Sequence, residues 1–215
     1  MLMIGVLNSK GGVGKTTLTT SLAARAAQDY KRVCIVDTDP QQGSCRWHKF
    51  RSGNGSGNPS ILAGDSNIHD VVEKLQRTGW DVVFFDGAPG ALEQSELVIR
   101  EVDFVLIPLK AGDQDLSSSE YTVGLCKQEG KPYMLALNEV RPPRGKTQDK
   151  RAQEVLNILE ELKQPVASRA ITERVAHLDA LNLGTSVFDM KGQDEAKKDI
   201  EVLYQELMKA AGSAG

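Results

Sequence analysis

Lys10-Gly11-Gly12-Val13-Gly14-Lys15-Thr16-Thr17 is the stretch on which the reading of this chain turns. It follows the apolar run Met3 to Asn8 and opens a segment, Thr16 to Ala27, whose apolar residues recur at helical spacing. A strand, a glycine-rich turn and a helix thus come in succession, the context a phosphate-binding loop requires. Small residues let the backbone N–H groups of Gly11, Gly12, Val13 and Gly14 converge on phosphate oxygens, and the helix N-terminus adds favourable partial charge. In such a loop Lys15 reaches the β- and γ-phosphates and the Thr16 hydroxyl completes a Mg²⁺ shell. Thr17 is placed at the α-phosphate. Lys10 is the unusual member, because an ordinary loop of this kind has no need of a lysine at its head.

Outward from the loop, short β-branched runs alternate with longer helical patterns, the signature of βαβ units. Strands are expected at Met3 to Asn8, Val33 to Asp37, Val82 to Asp86, Phe104 to Pro108 and Tyr133 to Asn138, each continuously apolar as a strand covered on both faces should be. Crossover helices are expected at Thr16 to Ala27, Ile68 to Arg77, Leu116 to Gln128 and Gln153 to Leu162. The fold class is therefore α/β, three layers with a mostly parallel twisted sheet, in a single domain over residues 1–215. Ser52 to Ser60 and the turn around Pro142-Pro143-Arg144-Gly145 read as surface loops.

Two further stretches carry acids where a parallel sheet delivers strand ends. Val82-Val83-Phe84-Phe85-Asp86-Gly87 is an apolar strand closing on Asp86, placed to hold Mg²⁺ through water. Asp37-Thr38-Asp39-Pro40-Gln41 follows the second expected strand, beside the phosphate loop. Gly87-Ala88-Pro89-Gly90 supplies a loop able to sense a γ-phosphate.

Composition excludes several classes. With 40% hydrophobic and 26% charged residues the chain is an ordinary globular one, and a formal charge of −3 argues against a surface that coats nucleic acid everywhere. Local basic clusters remain: Arg141, Arg144, Lys146, Lys150 and Arg151 in one region, Arg169, Arg174, Lys191, Lys197 and Lys198 in another. Each reads equally well as a solvated face or as a DNA contact. Cys34, Cys45 and Cys126 lack disulfide or zinc spacing and suit a reducing cytosol. His48, His69 and His177 share no metal-ligand spacing and read as surface or helix-packing residues, and Trp47 as a half-buried packing residue or a partner contact. No run is long enough to span a bilayer, and Ile200, Leu203 and Leu207 mark a C-terminal core-packing helix rather than a membrane anchor.

The loop matches the pattern KGGxGKT[ST] at every fixed position, and by it the chain resembles the ParA/MinD family of deviant Walker A ATPases, of P-loop NTPase fold. It is most similar to the short ParF-like plasmid partition proteins. The likeness runs through Asp39-Pro40-Gln41 and its spacing to Trp47, Asp86-Gly87-Ala88, Ile107-Pro108 followed by Asp115, and Arg169-Ala170-Ile171-Thr172-Glu173-Arg174 with Gly184-Thr185-Ser186-Val187-Phe188. The resemblance implies ATP and Mg²⁺ as cofactors and Lys10, Lys15 and Asp39 as catalytic residues. Lys10 reaches the nucleotide of a second subunit, Asp39 orients the attacking water, and Asp37 joins the magnesium hydration shell. Asn138 stands where related P-loop proteins place an adenine-contacting amide. It further implies slow, partner-stimulated ATP hydrolysis, an ATP-dependent homodimer able to extend into filaments, non-specific DNA binding on the nucleoid, and a ParB-like or cargo-adaptor partner. Partition of DNA is the expected task. The alternatives are a non-DNA cargo such as a chemoreceptor cluster or microcompartment, a metabolic P-loop enzyme, or a scaffold that binds nucleotide without turnover.

Overall fold

Residues 1–53, 57–64, 67–142 and 149–213 are described by the computed structural model, and the side chains of 113–115 are not. The expected loops at 52–60 and 141–150 fall partly outside the described residues, as do Arg144, Lys146 and the side chain of Asp115.

Strand β1 (Leu2–Val6) leads through the glycine turn into α1 (Lys15–Asp29), followed by β2 (Val33–Asp37). Next come α2 (Gly43–Gly53), β3 (Ser60–Ala63), α3 (Ile68–Thr78) and β4 (Val82–Asp86). The chain continues through α4 (Leu92–Glu101), β5 (Phe104–Leu109), α5 (Asp113–Gln128) and β6 (Tyr133–Leu137). It closes with α6 (Lys150–Glu161), α7 (Val175–Leu183), a single 3-10 turn (Val187–Asp189) and α8 (Asp194–Gly212). The five expected strands and four crossover helices are all present, and α8 realises the expected C-terminal helix. Elements β3, α2, α4 and α7 were not anticipated.

The strands form one sheet in the order β3-β2-β4-β1-β5-β6, and every neighbouring pair is parallel. Among the described strands the sheet is thus wholly parallel rather than mostly so, because each strand-to-strand connection is long enough to carry a crossover helix. Side chains alternate between two cores. Ile4, Ile35, Val82 and Phe84 face the layer of α1, α2, α7 and α8, whereas Cys34, Val36, Val83 and Phe85 face α3 to α6. Cys34 and Cys126 are fully buried in the second core, where each packs as a small hydrophobe.

Helix α2 has few apolar residues, yet it is tightly placed. Trp47 is 1% exposed, a correction to its half-buried reading, and its indole N–H donates to the Thr185 carbonyl at 2.8 Å. Arg51 stacks over the Trp47 ring and pairs with Asp189 at 3.1 Å. Gly184 caps α7 at φ 64, and a Cβ there would lie 2.3 Å from the Arg51 nitrogen. Only glycine permits both that conformation and that approach.

Asp199 of α8 is fully buried and gathers the segment before α7. Its carboxylate accepts from Arg169 Nε at 2.6 Å and from the Thr172 N–H at 3.1 Å, with Arg174 Nε at 3.8 Å. Arg169 and Arg174 are therefore structural ion-pair partners, which counts against their use as a DNA contact. Removing one member of a buried pair is costly because the other charge stays desolvated. Asp199→Ala is expected to lower the unfolding free energy by about 3 kcal/mol, near the low end for such pairs because the arginines are about a third exposed. Urea denaturation monitored by circular dichroism measures it; a loss below about 1 kcal/mol contradicts the anchoring role.

Candidate functional site

A parallel sheet presents the carboxyl ends of its strands along one edge, and ligands lodge where the strand order reverses. From β1 the chain moves one way to β2 and β3 and later the other way to β5 and β6, so that reversal lies at β1. The glycine turn follows β1 directly.

Its shape is set from both ends. Asn8 is buried: its Nδ2 donates to the Pro108 carbonyl at 2.8 Å and its Oδ1 accepts the Lys10 N–H at 2.9 Å. Gly12 and Gly14 adopt φ 73 and 90, where a side chain is strained. At the far end Asn138, just past β6, donates its Nδ2 to the Val13 carbonyl at 2.9 Å. A Cβ on Gly14 would lie 2.0 Å from that nitrogen. Helix α1 then starts at Lys15 with no side-chain cap and no acid in its first turn, which leaves its N-terminal dipole open to an anion. Gly11, Gly12, Gly14, Lys15 and Thr16 border a hollow of about 240 Å³, closed on other sides by Asp39, Pro89 and Glu139.

Lys15 is 6% exposed, and its amino group donates to the Lys10 carbonyl at 2.8 Å. Burial pulls its pKa below the ordinary lysine value, opposed by the fields of Asp86 and Asp39. The Lys10 backbone thus contributes both an N–H to Asn8 and a carbonyl to Lys15.

Asp37 and Asp86 lie opposite one another in the β2–β4 register. The Asp86 carboxylate is fully buried and accepts from Ser44 Oγ at 2.8 Å and Thr19 Oγ1 at 3.4 Å; the Thr16 hydroxyl also bonds to it. Burial pushes its pKa up to about 7, with the neighbouring Asp37 charge adding to the rise and the Ser44 and Thr16 bonds opposing it. Asp37 accepts the backbone N–H groups of Asp39 at 3.1 Å and Cys45 at 2.9 Å. Burial raises its pKa, and those amides hold the rise back. The Cys45 thiol is pushed up to about 12, by burial first and by Asp37 second, so it carries no thiolate at neutral pH. Ser44 escaped the sequence reading, since a lone serine seven residues after Asp37 carries no pattern.

Two raised carboxyls and a hydroxyl in one buried corner are hard oxygen donors suited to Mg²⁺, which draws a carboxyl pKa down on binding. Among the described residues no group of three or more His, Cys, Asp or Glu forms a metal cage. Asp39 lines the same hollow as Lys15, its Oδ1 accepting the Gln41 N–H at 2.8 Å. Beside it, Gly87 to Gly90 return to the turn through the Gly90 N–H to the Ser9 carbonyl at 2.8 Å.

A second cavity of about 500 Å³ adjoins the first across Thr17 and Glu139, walled by Asn138, Pro142, Ile171 and Leu178. His177 also borders it, 8% exposed, with neither ring nitrogen hydrogen-bonded and its pKa lowered by burial. His48 pairs with Ser52 and His69 with Glu101, far apart in sequence and role. The structure therefore brings residues 11–17, Asp37, Asp39, Asp86 and Asn138 to one place. No helix among the described residues is long and apolar enough to cross a membrane.

A family model described as "AAA domain" matches residues 1–83. The carboxysome distribution maintenance protein A of Halothiobacillus neapolitanus is 31% identical over 204 residues, 91% of each chain. Protein virC1 of Rhizobium radiobacter is 28% identical over 200 residues, 86% of this chain and 87% of its own. Among solved structures, the Aquifex aeolicus cell division protein MinD superposes with a TM-score of 0.77 at 19% identity, over 97% of this chain and 98% of that one. An ATP complex of a Cyanothece McdA variant superposes with 0.75 at 17% identity, over 99% and 96%. The chain belongs to the ParA/MinD family of P-loop ATPases.

Proposed function

We propose that this protein is an ATP-dependent dimerisation switch that positions a large cargo. The observation that carries the reading is the open N-terminus of α1 with Lys15 beside it, Asp39 on the same hollow, and Asp37 and Asp86 paired at the neighbouring strand ends. The N–H groups of residues 11–17 and the Lys15 ammonium bind the triphosphate, and Asn138 keeps the loop in shape while bordering the cavity suited to the base. Thr16, Asp37 and Asp86 would hold Mg²⁺, which would supply positive charge to the phosphates. Asp39 orients the attacking water and accepts its proton. Lys10 reaches the nucleotide of a second copy, so that ATP joins two subunits and loss of the γ-phosphate releases them.

The cargo follows from kinship rather than from geometry. The relative that aligns over 91% of both chains is named for carboxysome distribution, which favours a protein assembly; a Caulobacter vibrioides chromosome partitioning protein ParA shares 32% identity over 98 residues, which keeps DNA as the second reading. For the DNA reading, exposed Arg141, Lys150 and Arg151 offer the basic surface. Slow hydrolysis stimulated by a cargo-bound adaptor completes the cycle. Comparing ATP with ADP in size-exclusion chromatography, with and without DNA, tests both parts. One association state under all conditions rejects the switch; salt-sensitive retention of DNA with ATP alone selects the second cargo.

Asp39→Ala should bind ATP and pair normally while turnover drops about 100-fold, the usual scale for a positioned general base. Phosphate release measured at saturating ATP decides it, and wild-type turnover removes Asp39 from this role.

A further inference from the structure

Glu139 occupies the crossing between the two cavities. Among the described residues that line them, the phosphate hollow and the larger, mainly apolar cavity share only Thr17 and Glu139. A nucleotide with its phosphates in one and its base in the other has its ribose at that crossing, with two neighbouring hydroxyls that need acceptors.

The backbone at Glu139 is held where a glycine would rest more easily. Its φ is 53, in the left-handed region that penalises any Cβ. Hydrogen bonds on either side keep it there: the Asn138 N–H to the Leu109 carbonyl at 2.8 Å, and the Val140 N–H to the Ile171 carbonyl at 3.0 Å. The carboxylate is fixed in turn, with Oε2 lying 2.5 Å from Lys110 Nζ. Its other oxygen, Oε1, stands 3.7 Å from the point a Cβ on Gly14 would occupy, at the rim of the phosphate loop. The Lys110–Glu139 pair is more than a third exposed, and such pairs contribute little to stability. Stability therefore does not account for a strained glutamate here, and strain of this kind gathers at ligand sites. An ionised carboxylate only accepts hydrogen bonds, the complement of a ribose diol, and acids serve that diol in other nucleotide folds. The Lys110 charge offsets the repulsion that a bare carboxylate would exert on the triphosphate.

We propose that Glu139 reads the sugar: its carboxylate, steadied by Lys110, accepts hydrogen bonds from the 2′- and 3′-hydroxyls and makes the protein prefer ribonucleotides. This rests on the nucleotide site proposed above. The test is a set of calorimetric titrations with Mg²⁺ and ATP, 2′,3′-dideoxy-ATP or inorganic tripolyphosphate. Wild type should bind ATP about tenfold tighter than the dideoxy analogue, the effect of losing hydrogen bonds to a charged group. Glu139→Gly, which suits the φ of 53 and removes the carboxylate with the rest of the side chain, should bind both nucleotides alike and tripolyphosphate no more weakly than wild type. Glu139→Gln, which keeps one acceptor oxygen, should fall between. The sugar-reading role is overturned, with the nucleotide site intact, if wild type binds both nucleotides equally or if Glu139→Gly keeps the tenfold preference. Equal losses of ATP, dideoxy-ATP and tripolyphosphate in Glu139→Gly also overturn it, since they assign Glu139 to loop structure. Wild type that binds neither ATP nor tripolyphosphate overturns this role and the nucleotide site together.

Discussion

Lys15→Ala is expected to weaken ATP binding about a thousandfold, equivalent to about 4 kcal/mol. Its ammonium is nearly enclosed, in a hollow where it is the only cation among the described residues lining the walls, and the adjacent Asp86 and Asp39 leave a net negative field once it is gone. Triphosphate then meets the Asp86 and Asp39 carboxylates with no buried ammonium beside them to oppose their charge. Titration of the variant with a fluorescent ATP analogue in Mg²⁺ measures the loss, and a parallel melting curve separates it from unfolding. Affinity within about threefold of wild type shows that the ammonium does not meet the phosphates.

Lys10→Ala is expected to act at a later stage. The backbone of residue 10 supplies the bonds to Asn8 and Lys15, and alanine preserves both, so the loop keeps its shape and the monomer keeps its nucleotide. What the substitution removes, in the dimer proposed above, is the cation that Lys10 would offer to the second subunit's triphosphate. A charge-assisted contact in a closed interface contributes about 3 kcal/mol, and two-fold symmetry uses it twice, so the dimer constant should weaken by at least about 10⁴. Light scattering with a non-hydrolysable ATP analogue reads this directly: wild type should double its mass and the variant should not. A variant that dimerises like wild type removes Lys10 from the interface.

The parts of the molecule legible in its sequence are those where one local rule governs. Strands β1, β2, β4, β5 and β6 are buried on both faces, so apolar content alone marks them, and the glycine turn carries its own spacing. Strand β3 is four residues long and half exposed, too short and too mixed for any period to show. Helix α2 hides for another reason: Ser44, Trp47 and Arg51 are its buried residues, and two of those three are polar groups satisfied by partners distant in sequence. The acids Asp37, Asp39 and Asp86 were legible because a parallel sheet must deliver its strand ends to one edge. Ser44 and Glu139 were not, since what distinguishes them is a bond to Asp86 in one case and a left-handed φ with a Lys110 partner in the other. The same reasoning explains the basic cluster: charge in a sequence says nothing of an opposing Asp199 thirty residues away from Arg169.

The two ends of α2 grip different parts of the molecule. Its first turn holds Asp86 through Ser44 and Asp37 through the Cys45 amide, while Trp47 and Arg51 clasp the Thr185 carbonyl and Asp189 near the other end. Eleven helical residues make a stiff lever about 16 Å long. Any tilt imposed where the magnesium corner tightens is delivered to the 184–189 segment that follows α7, and α7 walls the larger cavity. On the proposed nucleotide site, α2 would therefore couple the acids at the phosphate end to the wall of the cavity assigned to the base.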